Sequence, residues 1–206
     1  MIEAWRGCND IELFGFLRDN MSMGRPKSFS REEVLQKAMP VFWKHGFADT
    51  SLQELERATG VNKSGLYTEF RDKKDLFVAC LRHYLESQAK RGLLSKEPLG
   101  WNNVENFLKN GPLNKGEQQG CFSVNSMREV AILPDEAYAV MTESRALLER
   151  LLAMNIEAEK PGMAPSAIAE MVVSFFSGLC IERNLNSGKT SSNRMIENFM
   201  TALRGL

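Results

Sequence analysis

The chain has 206 residues, of which 43% are hydrophobic and 25% are charged, so it is long enough and apolar enough to bury a core. Its 26 basic side chains equal its 26 acidic ones, although residues 24–92 hold 13 basic and 9 acidic residues, a modest excess that favours a polyanionic partner only weakly. No apolar run reaches the length of about 18 residues that a membrane span needs, so we expect a soluble globular protein.

The cysteines Cys8, Cys80, Cys121 and Cys180 are scattered without a CxxC pair. This spacing argues against a structural zinc site and a disulfide framework, so we predict no metal and no cofactor, and reduced thiols in a cytoplasmic protein. Cys80 and His83 would share one helical face and could supply half a metal site. A small core residue beside an unrelated histidine is the favoured interpretation.

Residues 1–23 contain an apolar cluster that Asp10, Glu12 and Arg18 interrupt, which argues against a secretory signal. Met23 stands directly before a more typical opening, "GRPKSFSREE". Two interpretations stay open: an extension from an upstream start, or a genuine amphipathic helix.

The first clear helix begins at Ser30, because Glu33 three residues later completes a capping box. Pro40 falls inside the helical pattern and should bend the helix or loosen its first turns. Gly46 should end it.

Two short helices follow. Thr50 or Ser51 caps the first, and Gly60 ends it. The second spans about residues 62–70. The residues expected to face the core at helical spacing are Leu52, Leu55, Ala58, Leu66 and Phe70.

A longer fourth helix should start after a capping Asp72 and could join two domains. Beyond Gly92 the sequence becomes irregular around a short apolar helix near Phe107. Further amphipathic helices are predicted over about 121–132, 134–159, 165–186 and 191–204. Since no stretch alternates with period two, we predict an all-α chain.

Residues 50–70 fit a helix-turn-helix, whose second helix lies in the major groove with its early residues at the base edges. Lys63 suits phosphate or guanine acceptors, Ser64 suits base or phosphate, and Tyr67 suits a phosphate oxygen. Further groups expected to face phosphate are Thr50, Ser51, Lys73 and Lys74. The alternative is an ordinary pair of amphipathic helices in a bundle that binds no nucleic acid.

Residues 24–77, "GRPKSFSREEVLQKAMPVFWKHGFADTSLQELERATGVNKSGLYTEFRDKKDLF", resemble the N-terminal DNA-binding region of the TetR family of transcriptional regulators. The resemblance covers about a quarter of the chain. It implies three helices, of which the second and third form the DNA-binding pair, followed by a larger helical domain for ligand binding and dimerisation. It places Lys63, Ser64, Gly65, Tyr67 and Thr68 on the recognition helix. It matches Lys73 to a family lysine at the start of helix four, and Arg25 to a basic arm that reaches the minor groove.

Two positions depart from the family pattern. Glu56 stands where a small apolar residue is usual, so we expect its carboxylate at the surface. Ser64 and Gly65 reverse the more frequent order. A glycine within a helix costs about 1 kcal/mol relative to alanine, which a close approach of the backbone to DNA would explain.

By the same resemblance the protein should be a homodimer that matches a palindromic operator. Residues 168–185 and the terminal helix are the apolar candidates for the dimer face, and a buried core helix is the alternative. The residues proposed for that face are Met171, Phe175, Phe176, Leu179, Phe199 and Leu203.

An effector pocket is expected among the middle helices. Its proposed lining is Trp101, Phe107, Cys121, Phe122, Asn125, Tyr138 and Met141, each of which could instead be plain core. Cys121 begins a predicted helix, where the helix dipole would lower its thiol pKa and favour reaction with oxidants or electrophiles. A small core residue is the alternative there too.

The leading hypothesis is a ligand-responsive repressor. In it, an effector changes the distance between the two DNA-binding domains of the dimer. The alternative is a constitutive DNA-binding or helical interaction protein without an effector. An enzyme is disfavoured, because the chain has 2 histidines and lacks a nucleophile or phosphate-loop motif. The expected division is an extension at 1–23, a DNA-binding domain at 24–72 and an effector-binding and dimerisation domain at 73–206.

Overall fold

The regular structure of this protein is helical throughout the residues that its computed structural model describes, 29–111, 120–185 and 189–206. The predicted all-α fold is confirmed: an N-terminal helix-turn-helix unit is joined by a long helix to a larger helical unit. The basic arm predicted at Arg25, the extension at 1–23 and Cys8 lie outside the described residues.

The helices follow the predicted order. They are α1 Arg31–Asp49, α2 Leu52–Thr59, α3 Lys63–Glu69, α4 Lys73–Ala89, α5 Trp101–Asn110, α6 Phe122–Ser126, α7 Asp135–Glu157, α8 Pro165–Leu185 and α9 Lys189–Leu203. The helix predicted over 121–132 is shorter than expected: α6 passes into a 3₁₀ turn, Met127–Glu129. Pro134 disfavours helical backbone at the residue before it, which separates this segment from α7.

Side-chain caps set the helix starts. Ser30 and Glu33 form the predicted capping box, with the Ser30 N–H 2.8 Å from a Glu33 carboxylate oxygen. Ser51 rather than Thr50 caps α2. Pro40 is accommodated within α1, and the helical backbone is interrupted instead at Gly46, where φ is 84°.

An aromatic cluster joins the helix-turn-helix unit to the rest of the molecule. The Phe42 ring of α1 lies 5.2 Å from Phe77 of α4, and Phe77 lies 5.7 Å from Phe122 of α6. Trp43 and Tyr84 pack on Phe122 at 5.8 Å each. Because the rings interlock across α1, α4 and α6, the core is continuous between the two units.

The helix α8 is the most apolar element. Its residues 165–184 have a mean hydropathy of 1.3, which by length and composition alone would suit a membrane span. Ile168, Val172 and Cys180 are nevertheless fully buried within the fold. Burial of this kind explains the composition as that of a core helix.

Candidate nucleic-acid interface and effector cavity

The angle between α2 and α3 is fixed by a short turn and three buried side chains. Gly60 ends α2 in the left-handed conformation, with φ of 74°, and its N–H donates to the Glu56 carbonyl at 2.9 Å. Leu55, Val61 and Leu66 are at most 6% exposed and pack into the core. The pair is therefore held rigidly enough to present α3 as a unit.

The outer face of α3 carries the predicted reading residues. Lys63, Ser64, Tyr67 and Thr68 are all exposed. The Lys63 ammonium lies 5.7 Å from the centre of the Tyr67 ring, and the Thr68 hydroxyl donates to the Ser64 carbonyl at 2.9 Å. These side chains provide one cation and three hydroxyls on a single face, which is the chemistry that phosphates and base edges accept.

The prediction that the Thr50 hydroxyl faces DNA is wrong. Thr50 is 1% exposed, and its hydroxyl donates to the Gly46 carbonyl at 2.6 Å. The physical reason is the break in α1, which leaves a carbonyl that needs a donor. Ser51 is exposed beside it, but its hydroxyl forms the α2 capping box with Glu54.

The predicted DNA clamp of Lys73 is also wrong. Its ammonium donates to the carbonyls of Phe47 at 2.8 Å and Thr50 at 2.9 Å, with Ala48 at 3.3 Å, and lies 4.7 Å from the centre of the Phe47 ring. Lys73 therefore ties the α1–α2 connection to α4. Lys74 is exposed and keeps its charge available at the surface.

Gly65 and Glu56, the two departures from the family pattern, have internal roles. A Cβ at Gly65 would lie 2.7 Å from Cγ1 of Val61 and 3.3 Å from the ring of Phe29, so packing inside the unit is sufficient to require glycine there. The half-buried Glu56 carboxylate accepts a hydrogen bond from the Lys63 N–H, at the start of α3. Glu56 thus stabilises the reading helix by satisfying one of its unpaired amides.

Glu129 is a connecting residue that sequence reasoning missed. From the 3₁₀ turn after α6, its carboxylate accepts the N–H of Phe47 at 2.6 Å and the N–H of Ala48 at 2.8 Å. A Cβ at Gly46 would lie 2.6 Å from the same carboxylate. Since these partners are about 80 residues apart in sequence, no local pattern could have indicated the contact.

A second missed residue anchors the reading helix from its far end. The Arg31 guanidinium donates to the Glu69 carbonyl at 2.6 Å and lies 4.2 Å above the Phe70 ring. This cation–π contact joins the start of α1 to the end of α3. In the sequence, the position of Arg31 directly after the Ser30 cap was the one feature that could have indicated this contact.

A cavity of about 170 Å³ lies among α4, α5, α6, α7 and α8. Three predicted residues line it: Phe107, Cys121 and Met141. Its polar groups include Gln88 and Arg145.

Four predicted lining residues lie elsewhere. Phe122 belongs to the aromatic core, and Tyr138 is 61% exposed on α7. Asn125 accepts a hydrogen bond from Asn184 at 2.8 Å in a separate depression. Trp101 is half-buried at the start of α5. Residue type does not indicate whether a side chain points toward the cavity, and the prediction failed for these four residues for that reason.

The cysteine environments differ sharply. The pKa of Cys121 is lowered to about 7, chiefly by a hydrogen bond from the Cys180 thiol and then by one from the Tyr84 hydroxyl at 3.3 Å, against the opposing effect of burial. The predicted helix-dipole cause is thus secondary to these two side chains. Burial raises the pKa of Cys80. No cluster of three metal-binding side chains occurs within the described ranges.

Half of the predicted dimer face is buried within the single chain. Phe176, Leu179 and Leu203 are 8%, 1% and 1% exposed, so these residues belong to the core. Phe175 and Phe199 are partly exposed and stack with ring centres 3.9 Å apart.

The remaining exposed stripe runs along α8. Met171 is 42% exposed and Ile181 is 47% exposed, with Ser174 and Gly178 exposed between them. The successive spacings of three and four residues place all of them on one side of the helix.

These features define an all-helical protein with a helix-turn-helix head and a cavity-bearing helical body. A family model described as bacterial regulatory proteins, tetR family, matches residues 34–80. Residues 34–80, from α1 into α4, thus carry the N-terminal region of this family.

Curated relatives match over part of their length. The HTH-type transcriptional repressor ComR of Escherichia coli is 33% identical over 137 residues, which are 64% of this chain and 65% of ComR. The HTH-type transcriptional repressor AcnR of Corynebacterium glutamicum is 33% identical over 63 residues, 31% of this chain and 34% of AcnR. The chain therefore spans less than two thirds of the length of each.

Solved structures share the fold. A cysteine mutant of the TetR family regulator CifR, complexed with 26-base-pair operator DNA, aligns with a TM-score of 0.75 at 24% identity, covering 87% of this chain and 99% of that one. The reduced form of Escherichia coli NemR aligns with a TM-score of 0.73 at 20% identity, covering 85% and 95%.

Proposed function

We propose that this protein is a transcriptional regulator that binds double-stranded DNA as a homodimer and releases it when a small molecule occupies the cavity. The observation that carries the proposal is the exposed polar face of α3, with Lys63, Ser64, Tyr67 and Thr68 together on a rigid helix-turn-helix. Repression is the favoured outcome, because the relatives ComR and AcnR are named repressors. We assign the protein to the cytoplasm and give it no catalytic role.

The proposed roles are divided between the N-terminal helices and the rest of the chain. We assign DNA binding to residues 24–72 and effector binding and dimerisation to residues 73–206. Lys63 and Tyr67 contact DNA, with Ser51, Lys74 and the Arg25 arm as secondary contacts. Phosphate contacts position the head, and contacts from α3 to base edges select the sequence.

The exposed stripe of α8 is the proposed dimer face. Met171 and Ile181 form its apolar ends, and the small side chains of Ser174 and Gly178 allow close approach of a second helix. The stacked Phe175 and Phe199 extend the apolar surface toward α9. Two heads related by a two-fold axis then match the two halves of a palindromic site.

The cavity is coupled to the head through Glu129. Ser123, Val124 and Met127 line the cavity, and Glu129 lies at the end of the same turn with its carboxylate on the α1–α2 connection. A molecule that displaces α6 would move this carboxylate and with it the start of α2. The effector needs only to bind the DNA-incompetent arrangement more tightly.

The test begins with selection of genomic DNA fragments by the full chain, followed by gel-shift titration at several salt concentrations. We expect sequence-selective binding that weakens as salt rises. Lys63→Ala should weaken binding and reduce the salt slope by about one per head. Lys96→Ala, at an exposed lysine between α4 and α5, is the matched control and should leave both unchanged. Failure to select any fragment would refute the DNA assignment.

Dimerisation is tested by light scattering. Met171→Glu and Ile181→Glu each place a charge on the exposed α8 stripe, so we expect monomers. Tyr138→Glu, on the exposed face of α7, should leave the oligomeric state unchanged. A wild-type monomer, or dimers in all three variants, would exclude this face.

A further inference from the structure

The wall of the cavity carries an ionic side chain at its mouth. Of the described residues around the cavity, Arg145 of α7 is the only lysine, arginine, aspartate or glutamate. Its side chain is 45% exposed, so it lies at the mouth of the cavity rather than in its depth. Met141 and Leu148, each about one turn away on the same face of α7, form part of the wall beside it. A molecule that enters the cavity therefore meets a guanidinium.

The Arg145 guanidinium keeps hydrogen-bonding capacity for a ligand. Its Nε lies 2.8 Å from the Glu149 carboxylate, which is its one ionic partner among the described residues. This contact holds the guanidinium in place and leaves its two Nη groups as donors for another acceptor. Parallel N–H groups on a planar guanidinium match the two oxygens of a carboxylate. Arg145 is therefore suited to bind a ligand that carries a carboxylate.

Gln88 supplies a second donor near the end of α4. Its side-chain oxygen accepts a hydrogen bond from the Arg91 guanidinium at 3.1 Å, and the same guanidinium nitrogen donates to the Gly111 carbonyl at 3.0 Å. Both Gln88 and Gly111 line the cavity. Because the side-chain oxygen is already used, the group that Gln88 offers to a ligand is its amide NH₂. Gln88 and Arg145 thus both present donors, which favours a ligand with acceptor oxygens.

The rest of the wall favours an apolar body. The volume of about 170 Å³ is comparable to that of an engineered cavity of roughly 150 Å³ that binds benzene. A charged group placed away from Arg145 would lose its hydration without gaining a partner. Cys121, whose pKa is lowered to about 7 by hydrogen bonds from Cys180 and Tyr84, also disfavours an anion beside it. Apolar side chains form most of the wall: Leu85, Phe107, Met141, Leu148, Leu151 and Val173.

We infer that the cavity binds a small monocarboxylic acid with an apolar body of about six to eight carbons. Its carboxylate pairs with Arg145 at the mouth and accepts a hydrogen bond from Gln88, while its apolar body packs inside the wall. The volume of the cavity limits the size of the ligand, and the guanidinium selects its charge. An amine of the same shape would place a cation beside Arg145, so the site disfavours it.

This inference rests on the proposed function and names the chemical class of its effector. The carboxylate would bridge Gln88, near the end of α4, and Arg145 of α7. The other end of α4 begins at Lys73, whose ammonium holds the α1–α2 connection through the carbonyls of Phe47 and Thr50. A ligand that displaces α4 therefore acts on the head through Lys73. Binding of the acid should lower DNA affinity.

The experiment compares three probes that share one ring and differ in charge: benzoate, benzyl alcohol and benzylamine. Isothermal titration calorimetry on the full chain without DNA measures the Kd of each probe. We expect benzoate to bind about tenfold more tightly than benzyl alcohol, the low end for hydrogen bonds between charged groups, because Arg145 is half-exposed. Benzylamine should bind most weakly. Benzene should compete with benzoate, since both rings would occupy the same apolar wall.

Variants at the mouth separate recognition of charge from general apolar binding. Arg145→Glu should reverse the order, so that benzylamine binds more tightly than benzoate, and retained binding of benzene shows that this variant is folded. Gln88→Leu should weaken benzoate more than benzyl alcohol. Glu149→Gln removes a competing carboxylate and should strengthen benzoate by up to about fivefold. Arg150→Glu, at an exposed arginine of α7 outside the wall, is the matched control and should preserve the order of the probes.

Three results overturn the inference: benzoate that binds no more tightly than benzyl alcohol, a preference for benzoate that survives Arg145→Glu, or no competition by benzene. A gel shift on the selected DNA tests the effector role, and benzoate should release DNA from the wild-type chain but not from Arg145→Glu. Benzoate that binds as expected and leaves the DNA bound refutes that role. If the chain selects no DNA, the proposed function fails, while the three affinities still decide the chemistry of the cavity.

Discussion

The contact between Glu129 and the α1–α2 connection gives the sharpest stability prediction. Glu129→Ala removes the acceptor of two backbone N–H groups, those of Phe47 and Ala48. Hydrogen bonds to a charged group contribute about 1.5–3 kcal/mol each, and the low end applies to a half-buried carboxylate, so the free energy of unfolding should fall by about 3 kcal/mol. For a chain of this size that lowers Tm by about 6–12 °C.

Thermal unfolding followed by circular dichroism measures this effect. Glu129→Gln keeps one acceptor oxygen but turns an N–H donor toward the other amide, so an intermediate loss is expected. Glu143→Ala, at an exposed glutamate of α7, is the control and should change stability by less than about 0.5 kcal/mol. A Tm of Glu129→Ala as close to wild type as that of the control would refute the reasoning.

A double-mutant cycle with Gly46 isolates the close approach. Gly46→Ala adds a methyl group 2.6 Å from the Glu129 carboxylate at a φ of 84°. Gly60→Ala shares the positive φ, at 74°, but its added Cβ meets no atom within 4 Å. Gly46→Ala should therefore be the more destabilising, and combining it with Glu129→Ala should cost less than the sum of the two changes. Strict additivity would show that the contact is absent in solution.

Three further predictions concern the head. Lys73→Met should lower Tm by several degrees because three carbonyls lose their donor. Lys74→Met should leave Tm unchanged and weaken only DNA binding. Equal stability of the two variants would contradict the structural role assigned to Lys73. Gly65→Ala should destabilise the fold despite its gain of about 1 kcal/mol in helix propensity, because its Cβ meets Val61 at 2.7 Å, and a raised Tm would disprove that clash. Lys63→Ala should leave Tm within about 2 °C of wild type while weakening DNA binding, since Lys63 is exposed; a large fall in Tm would instead make it a structural residue.

Local pattern was sufficient for the helix-turn-helix. Ser30 and Glu33 lie three residues apart, as do Ser51 and Glu54. Both residues of each capping box therefore lie within one turn of helix. Spacing of three and four residues likewise placed Leu66 and Phe70 toward the core, where they are 1% and 2% exposed. The sequence by itself therefore determined the helices, their order and the polar face of α3.

Tertiary contacts decided which polar groups remain available. Thr50 and Lys73 look like phosphate ligands in the sequence, yet both are used by carbonyls that the end of α1 exposes. The packing of Gly65 on Phe29, and of Tyr84 on Cys121, likewise depends on segments that meet only in the folded chain. Periodicity tells which side of a helix a residue occupies, but the partner it finds there lies on another helix, 26 residues away for Lys73 and 82 for Glu129.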